Sequence, residues 1–341
     1  MTSELKDITI LGAGPTGMFA GFYAGMRGAS FRIIDTLDQV GGQLTALYPE
    51  KYIFDVAGFP KVLAKDLVRG MADQVAQWQP EIRLGEKVTA LRREQENGKT
   101  RLTVVTEQTE YPSRTLIIAG GIGAFTPRKL PLKDVDNWYG KGLHDRVLDP
   151  QVFKGKKLLI VGGGDSAFDW AVNLQGVARH ILMIHRRDGF RAHQATVDQV
   201  MALCAAGKMD LRTFWELRSI NGTGRIESVT IVNNKSKEEE TVQLDAVLPQ
   251  LGFISSLGAI ADWGLEIEKH DIKVAPTMET NLPGIYAAGD ITAYPGKLKL
   301  IATGVSEACI AVNHAVHFIN PQSKFEPGHS SNMAIFGQKD D

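Results

Sequence analysis

Cysteine is scarce in this chain: 341 residues contain two, Cys204 and Cys309, and neither belongs to a C-x-x-C pair. That scarcity excludes a disulfide framework and a cysteine-rich metal site. Long hydrophobic runs are missing too, since none approaches the ~18 residues that a membrane-spanning helix requires. The N-terminus, MTSELKDITI, carries acids ahead of an apolar strand and lacks the layout of a signal peptide. Charge of one sign is not in excess, because 38 Lys and Arg stand against 39 Asp and Glu. No global field therefore favours nucleic acid or a membrane surface, and a charged partner must be met by a local patch. Glycine, by contrast, is plentiful, with 35 residues and no collagen-like period in a chain that is 43% apolar and 23% charged. Such a composition suits a globular protein of two ordinary domains with tight turns and close backbone approaches. A cytoplasmic enzyme is the expectation.

Two strand–glycine loop–helix units stand out. DITILGAGPTGMFAGFYAGMRG is followed by the strand FRIID, ending at Asp35, and KKLLIVGGGDSAFDWAVNLQGV by ILMIHRR, ending near Arg187. Each reads as an apolar strand, a glycine turn, an amphipathic helix and a second strand, the βαβ pattern of a dinucleotide site. The repeat predicts two nucleotide-binding domains. Between the units lie the polar strand RLTVVTEQTEYPS, the buried strand TLIIAGG and the turn-rich PRKLPLKDVDNWYGKG. RIESVTIVNNKSKEEETVQL reads as a hairpin with a solvated turn, after which AVLPQLGF is expected to return the chain to the first domain. The fold expected is α/β, with one domain of residues 120–252 inserted into a discontinuous domain of residues 1–119 and 253–341. A helix from about Gly304 should end near Asn320, because Pro321 cannot continue it, leaving residues 321–341 as a tail.

In the first unit Gly12, Gly14 and Gly17 form G-x-G-x-x-G directly after the strand. The first glycine permits the tight turn, the second lets backbone approach a pyrophosphate, and the third lets helix and strand pack closely. The helix N-terminus offers free N–H groups and a positive dipole end to that anion. Asp35 is placed to accept hydrogen bonds from ribose hydroxyls, which raises this fingerprint above an ordinary glycine turn. The second unit carries the alanine-ending form, Gly162, Gly164, Asp165, Ser166 and Ala167. At the position equivalent to Asp35 stands His185, with Arg186, Arg187 and Arg191 around it. A carboxylate there would repel a 2′-phosphate, whereas guanidinium groups bind it through charge-assisted hydrogen bonds. One site thus suits a dinucleotide with a free ribose and the other suits NADPH; a solvated basic turn is the bland alternative for the arginines.

Later in the chain, TNLPGIYAAGD resembles the second FAD motif of the two-dinucleotide flavoprotein reductases, and GGQL at 41–44 is similar to a flavin-contacting turn of the same group. Over nearly the whole chain these motifs resemble the low-molecular-weight thioredoxin reductase superfamily. Its disulfide-reducing members carry a C-x-x-C pair shortly before the second glycine loop, yet GKGLHDRVLDPQVFKGKKLLIVGGG has no cysteine. Without a dithiol, a relay from flavin to disulfide cannot run. GGQLTALYPEKYIFDVAGFPK, GGGDSAFDWA, HRRDGFRAH, LGFISSLG and PGHSS look like one branch, the thioredoxin reductase-like ferredoxin–NADP+ reductases.

That resemblance implies two Rossmann-like domains of three layers (ββα), an NADPH domain inserted into an FAD domain, and a homodimer. It implies that Asp290, at a helix N-terminus, binds the ribityl chain, that Gln43 lies near the isoalloxazine ring and that Tyr48 stacks on it. Thr16, Val88 and Phe125 would line the FAD site, while His329 and Ser331 in the tail would cover the opposite face of the ring. The implied activity is hydride exchange between NADPH and FAD with one-electron exchange to ferredoxin or flavodoxin, needing no acid–base side chain and no metal. Lys51, Arg128, Lys129, Lys297 and Lys299 are candidates for a basic docking patch. Two competing readings are an NADPH-dependent diaphorase or low-molecular-weight disulfide reductase, and a non-catalytic flavin and NADPH redox sensor.

Overall fold

The computed structural model describes residues 3–49, 51–96, 98–145, 147, 149–325, 330–332 and 336, the side chains of 124–127, 255 and 332 excepted. It forms two compact units, Met1–Ala124 with Ser255–Asp341, and Phe125–Ile254. Both passages fall a few residues beyond 119 and 252. They lie inside the short strands Ala124–Pro127 and Phe253–Ser256, each of four residues and too brief to show a period.

The first unit is built on a sheet whose parallel core runs Glu81–Arg83, Phe31–Ile34, Lys6–Leu11 and Glu110–Ile118. Glu110–Ile118 is shared along its other edge. Its first half pairs antiparallel with Lys99–Thr106 and its second half pairs parallel with Ile285–Ala287. Strand alternation then sorts side chains into two layers. Ile8, Ile10, Ile33, Ile117 and Tyr286 face the helices with Ala20, Ala24, Ala308, Ala311 and Val312. Leu11, Ile34, Leu116, Ile118, Ile285 and Ala287 face the other way with Leu102, Val104 and Ile272. A one-residue slip would exchange these sets and empty both cores, so the register is firmly specified.

The second unit repeats the plan with Asp210–Thr213, His180–His185, Lys157–Gly162 and Ala246–Gln250 as a parallel sheet. Leu158, Ile160, Ile181 and Met183 pack on the helices Asp165–Leu174 and Gln194–Ala205. Leu159, Val161, Leu182 and Ile184 pack on a three-stranded antiparallel sheet, Trp215–Asn221, Ser228–Asn233 and Glu239–Gln243. Helices, parallel sheet and antiparallel sheet thus form the three ββα layers in this unit. The segment expected to carry the chain home behaves differently. Ala246–Gln250 is itself an edge strand of the second sheet, held by its buried Ala246, Val247 and Leu248, and the return follows it.

The last long helix, Ile301–Ile319, starts three residues earlier than Gly304 and is closed by Asn320 at its C-cap, ahead of Pro321. Its buried face, Gly304, Glu307, Ala308, Ala311, Val312 and Ala315, lies against the first helix, Pro15–Met26. The small side chains let the two backbones approach closely.

Candidate functional site

The first glycine loop links the strand Lys6–Leu11 to the helix Pro15–Met26. Pro15 suits the first helical turn, where its missing N–H is no loss. Gly12 has φ +111°, and a Cβ there would lie 2.3 Å from the carbonyl oxygen of Ala119. A Cβ on Gly17 would meet the carbonyl oxygen of Gly12 at 1.8 Å. The protein's own packing therefore demands both glycines. It does not demand Gly14, whose φ is −75° and whose Cβ would meet nothing nearer than the Cα of Gly42 at 3.8 Å. Gly14 is also the N-cap, and no side chain caps the helix. The bare terminus and the empty space beside it fit a ligand phosphate.

Asp35 closes the loop from the next strand. Its carboxylate accepts the N–H of Ala13 at 2.6 Å and of Leu37 at 2.8 Å. Burial pushes its pKa up, against the pull of these backbone hydrogen bonds. A carboxylate has about four lone-pair sites, so acceptor capacity remains for ribose hydroxyls. The 41–43 turn lies directly on the loop, with Gly41 N–H donating to Ala13 at 2.8 Å and a Cβ on Gly42 placed 3.1 Å from Gly14. Gln43, opening the short helix Gln43–Leu47, donates through Nε2 to Asp290 Oδ2 at 3.4 Å. Tyr48 follows that helix; burial, then the charges of Asp290 and Asp55, push its hydroxyl up. Gly12, Gly14, Gly17, Asp35, Gln43, Tyr48 and Asp290 therefore line one connected region. Thr16 sits at its base, where a Cβ on Gly289 or Gly304 would meet its Oγ1 at 2.7 or 2.3 Å. Val88 packs at the edge of the Leu11 and Ile34 cluster.

Asp290 is not at the N-terminus of its following helix in the chain: it occupies a turn, and the strand Thr292–Ala293 and residues 294–300 intervene before Ile301. Ser331 is exposed in the 3-10 turn Ser330–Asn332. Phe336, beyond it, packs on Phe22 and Trp78 with ring centroids 6.1 and 5.9 Å away, on the later turns of the first helix rather than at its glycine loop. His329 and the side chain of Phe125 lie outside the described residues.

In the second unit a Cβ on Gly162 would meet Gln250 O at 2.4 Å, and one on Gly163 would enter the His185 ring at 2.3 Å. Gly164, the uncapped N-cap of the next helix, has φ −104° and nothing within 4 Å of a Cβ. It repeats the unexplained glycine of the first loop. Asp165 accepts the N–H of His193 at 2.9 Å and Gly163 O accepts that of Arg191 at 2.8 Å, folding the 186–193 turn over the loop. Ser166 opens the helix beside it. Burial first, then the neighbouring Arg186 and Arg187, lower the pKa of His185, which favours the neutral ring. Arg186, Arg187 and Arg191 are exposed, and among the described residues no acid pairs with them.

The basic candidates divide. Lys297 is buried, its side chain 8% exposed, and bound to Glu307 at 2.5 Å, so it is not part of a docking surface. Lys51, Arg128, Lys129 and Lys299 are all exposed, Lys129 pairing with Asp136 at 2.6 Å and Lys299 with Asp271 at 2.8 Å. Sequence reasoning passed over Glu307, although an acid on an otherwise small and apolar helix stripe is a signal. Cys204 and Cys309 are free thiols on different units, each with its pKa pushed up by burial. Among the described residues there is no cluster able to hold a metal and no helix long and apolar enough to cross a membrane.

Residues 6–314 match a family described as pyridine nucleotide-disulphide oxidoreductase. A Thermus thermophilus protein named ferredoxin–NADP reductase is 50% identical over 337 residues, spanning 99% of this chain and 100% of its own. A Chloroherpeton thalassium protein named ferredoxin–NADP reductase 2 is 48% identical across 96% of both chains. Among solved structures, the thioredoxin reductase of T. acidophilum is similar at TM-score 0.74 and 26% identity, over 92% of this chain and 98% of that one.

Proposed function

This chain belongs to the pyridine nucleotide-disulphide oxidoreductase family, and on that premise we propose that it is an FAD-dependent ferredoxin (or flavodoxin)–NADP+ oxidoreductase. One observation carries the reading. Two helix N-termini are left uncapped beside glycines, Gly14 and Gly164, that neither backbone nor packing requires, and their surroundings carry opposite charge. Asp35 beside the first suits the free ribose of FAD; Arg186, Arg187 and Arg191 beside the second suit the 2′-phosphate of NADPH.

When bound, the flavin supplies exchange of a hydride with NADPH and of single electrons with an iron–sulfur partner. The chain's own residues bind and orient. The N–H groups after Gly14 would hold a pyrophosphate, Asp35 a ribose, and Gln43, Asp290 and Tyr48 the ribityl chain and flavin ring. The N–H groups of Asp165 and Ser166 would hold the second pyrophosphate, and His185 and the arginines the 2′-phosphate. No side chain need act as acid or base. Two separate, half-buried thiols supply no dithiol relay, which disfavours a disulfide acceptor and supports a one-electron partner. A homodimer in the cytoplasm, its tail crossing to the partner subunit's flavin, completes the proposal.

The test begins with an absorption spectrum for bound flavin, then measures NADPH-dependent cytochrome c reduction with and without ferredoxin. Strong dependence on ferredoxin, with little turnover of disulfides, is expected. Turnover of a disulfide at a rate unaffected by ferredoxin would overturn it.

A further inference from the structure

Glu307 is an acid in the wrong place for an ordinary helix. It lies 2% exposed on the stripe that packs against the first helix, between Gly304, Ala308 and Ala311. A carboxylate in such a site is costly unless its lone pairs are filled. Here they are. Oε2 accepts the N–H of Gly289 at 2.6 Å and faces the Thr292 hydroxyl at 3.5 Å; Oε1 accepts from the Tyr294 hydroxyl and Lys297 Nζ, both at 2.5 Å. Burial, then the hydrogen bond to Glu307 and its charge, push the Tyr294 hydroxyl up to about 12. An apolar residue would fill this volume at less cost, so the gain must lie in what the carboxylate holds.

Each of its partners belongs to the segment that follows the strand Ile285–Ala287. Gly289 has φ +85° and its carbonyl accepts both N–H and hydroxyl of Thr292, at 3.1 and 2.8 Å. The turn is therefore pinned from below at Gly289, and on its exit by Tyr294 and Lys297. Between those pins stands Asp290, turned toward Gln43. We propose that the buried Glu307–Lys297 pair is a positioning element that fixes the Gly289–Asp290 turn for flavin binding, acting through the backbone rather than by touching the cofactor. The inference rests on the flavin reading of that site.

The experiment titrates apoprotein with FAD, following quenching of flavin fluorescence, for wild type, Glu307→Gln, Glu307→Asp and Lys297→Met. Glutamine keeps the volume but removes the charge that Lys297 needs, and aspartate keeps the charge but draws it back from Gly289. Each variant is expected to bind FAD at least tenfold more weakly, while affinity for 2′,5′-ADP, which tests the second unit, stays within twofold. Glu307→Asp also serves if Glu307→Gln does not accumulate. FAD affinities within twofold of wild type would overturn the proposal, as would a parallel loss of FAD and 2′,5′-ADP affinity, which marks general destabilisation. A wild-type apoprotein that takes up no FAD would instead bring down the flavin reading beneath it.

Discussion

Replacing Arg186 and Arg187 with alanine tests the nucleotide preference most directly. Both side chains are exposed and unpaired by any described acid, so their removal leaves no buried charge behind. The backbone at that point is held independently, because Asn234 Nδ2 donates to Arg186 O at 2.9 Å while its amide also donates to Glu216. The substitution therefore deletes guanidinium groups without moving the turn. A hydrogen bond to a charged group contributes about 1.5–3 kcal/mol. For solvent-exposed arginines the lower figure applies, because water and salt screen the interaction. Each lost arginine then costs about 1.5 kcal/mol, roughly tenfold in affinity, and the pair roughly a hundredfold. The assay compares Kd and kcat/KM for NADPH and NADH, in low and in high salt. NADPH should weaken by that factor and NADH should scarcely change, since it has no 2′-phosphate. Raised salt should narrow the wild-type preference and have less effect on the variant. Equal losses for both coenzymes would refute the assignment and leave the arginines as a solvated turn.

Three other outcomes are expected. Gly14→Ala should change stability by no more than about 1 kcal/mol, since φ and space both admit a Cβ, yet weaken FAD binding at least tenfold; Gly164→Ala should do the same for NADPH. Denaturant midpoints beside cofactor titrations check this, and undiminished cofactor affinity would show that the open space is not a ligand's. The double variant Cys204→Ser, Cys309→Ser should keep NADPH-to-ferredoxin turnover, and loss of turnover with flavin bound and fold intact would contradict one-electron exchange. Phe336→Ala should lower stability by about 1 kcal/mol, the worth of its two aromatic contacts since the ring itself is 39% exposed, read as a shift in thermal midpoint.

The parts of this protein that were legible are those whose cause is local. A strand that alternates, a glycine turn that must bend and a helix that must begin leave marks within a dozen residues, and both βαβ units show them. The opposite charges of Asp35 and the 185–191 cluster were legible for the same reason, since each follows its own loop at a fixed distance. The boundaries were less so. Ala246–Gln250 is a short apolar strand that could belong to either sheet, and only pairing with Lys157–Gly162 decides it. The surroundings of Asp290 are less legible: the Ala-Gly-Asp motif reads as entering a helix, whereas the strand Thr292–Ala293 comes first and Tyr294 and Lys297 turn inward to meet an acid.

Lys297 shows how a surface reading goes wrong. In PGKLKLI both lysines look alike, and both read as candidates for a docking patch. Lys299 stays at the surface with Asp271, but Lys297 is drawn under by Glu307, ten residues further on. Neither residue betrays the pair alone. The helix face does: Gly304, Ala308, Ala311 and Ala315 mark a stripe that must be buried, and Glu307 falls on it. A buried acid needs a cation or several donors nearby, and Lys297, close in the chain, is a candidate partner on that ground. The same logic separates the glycines. Gly12, Gly17, Gly162 and Gly163 answer to atoms of the protein itself, so their presence says nothing of a ligand. Gly14 and Gly164 answer to none, and it is these two, one near a carboxylate and the other near three guanidinium groups, on which the proposal of two different dinucleotides rests.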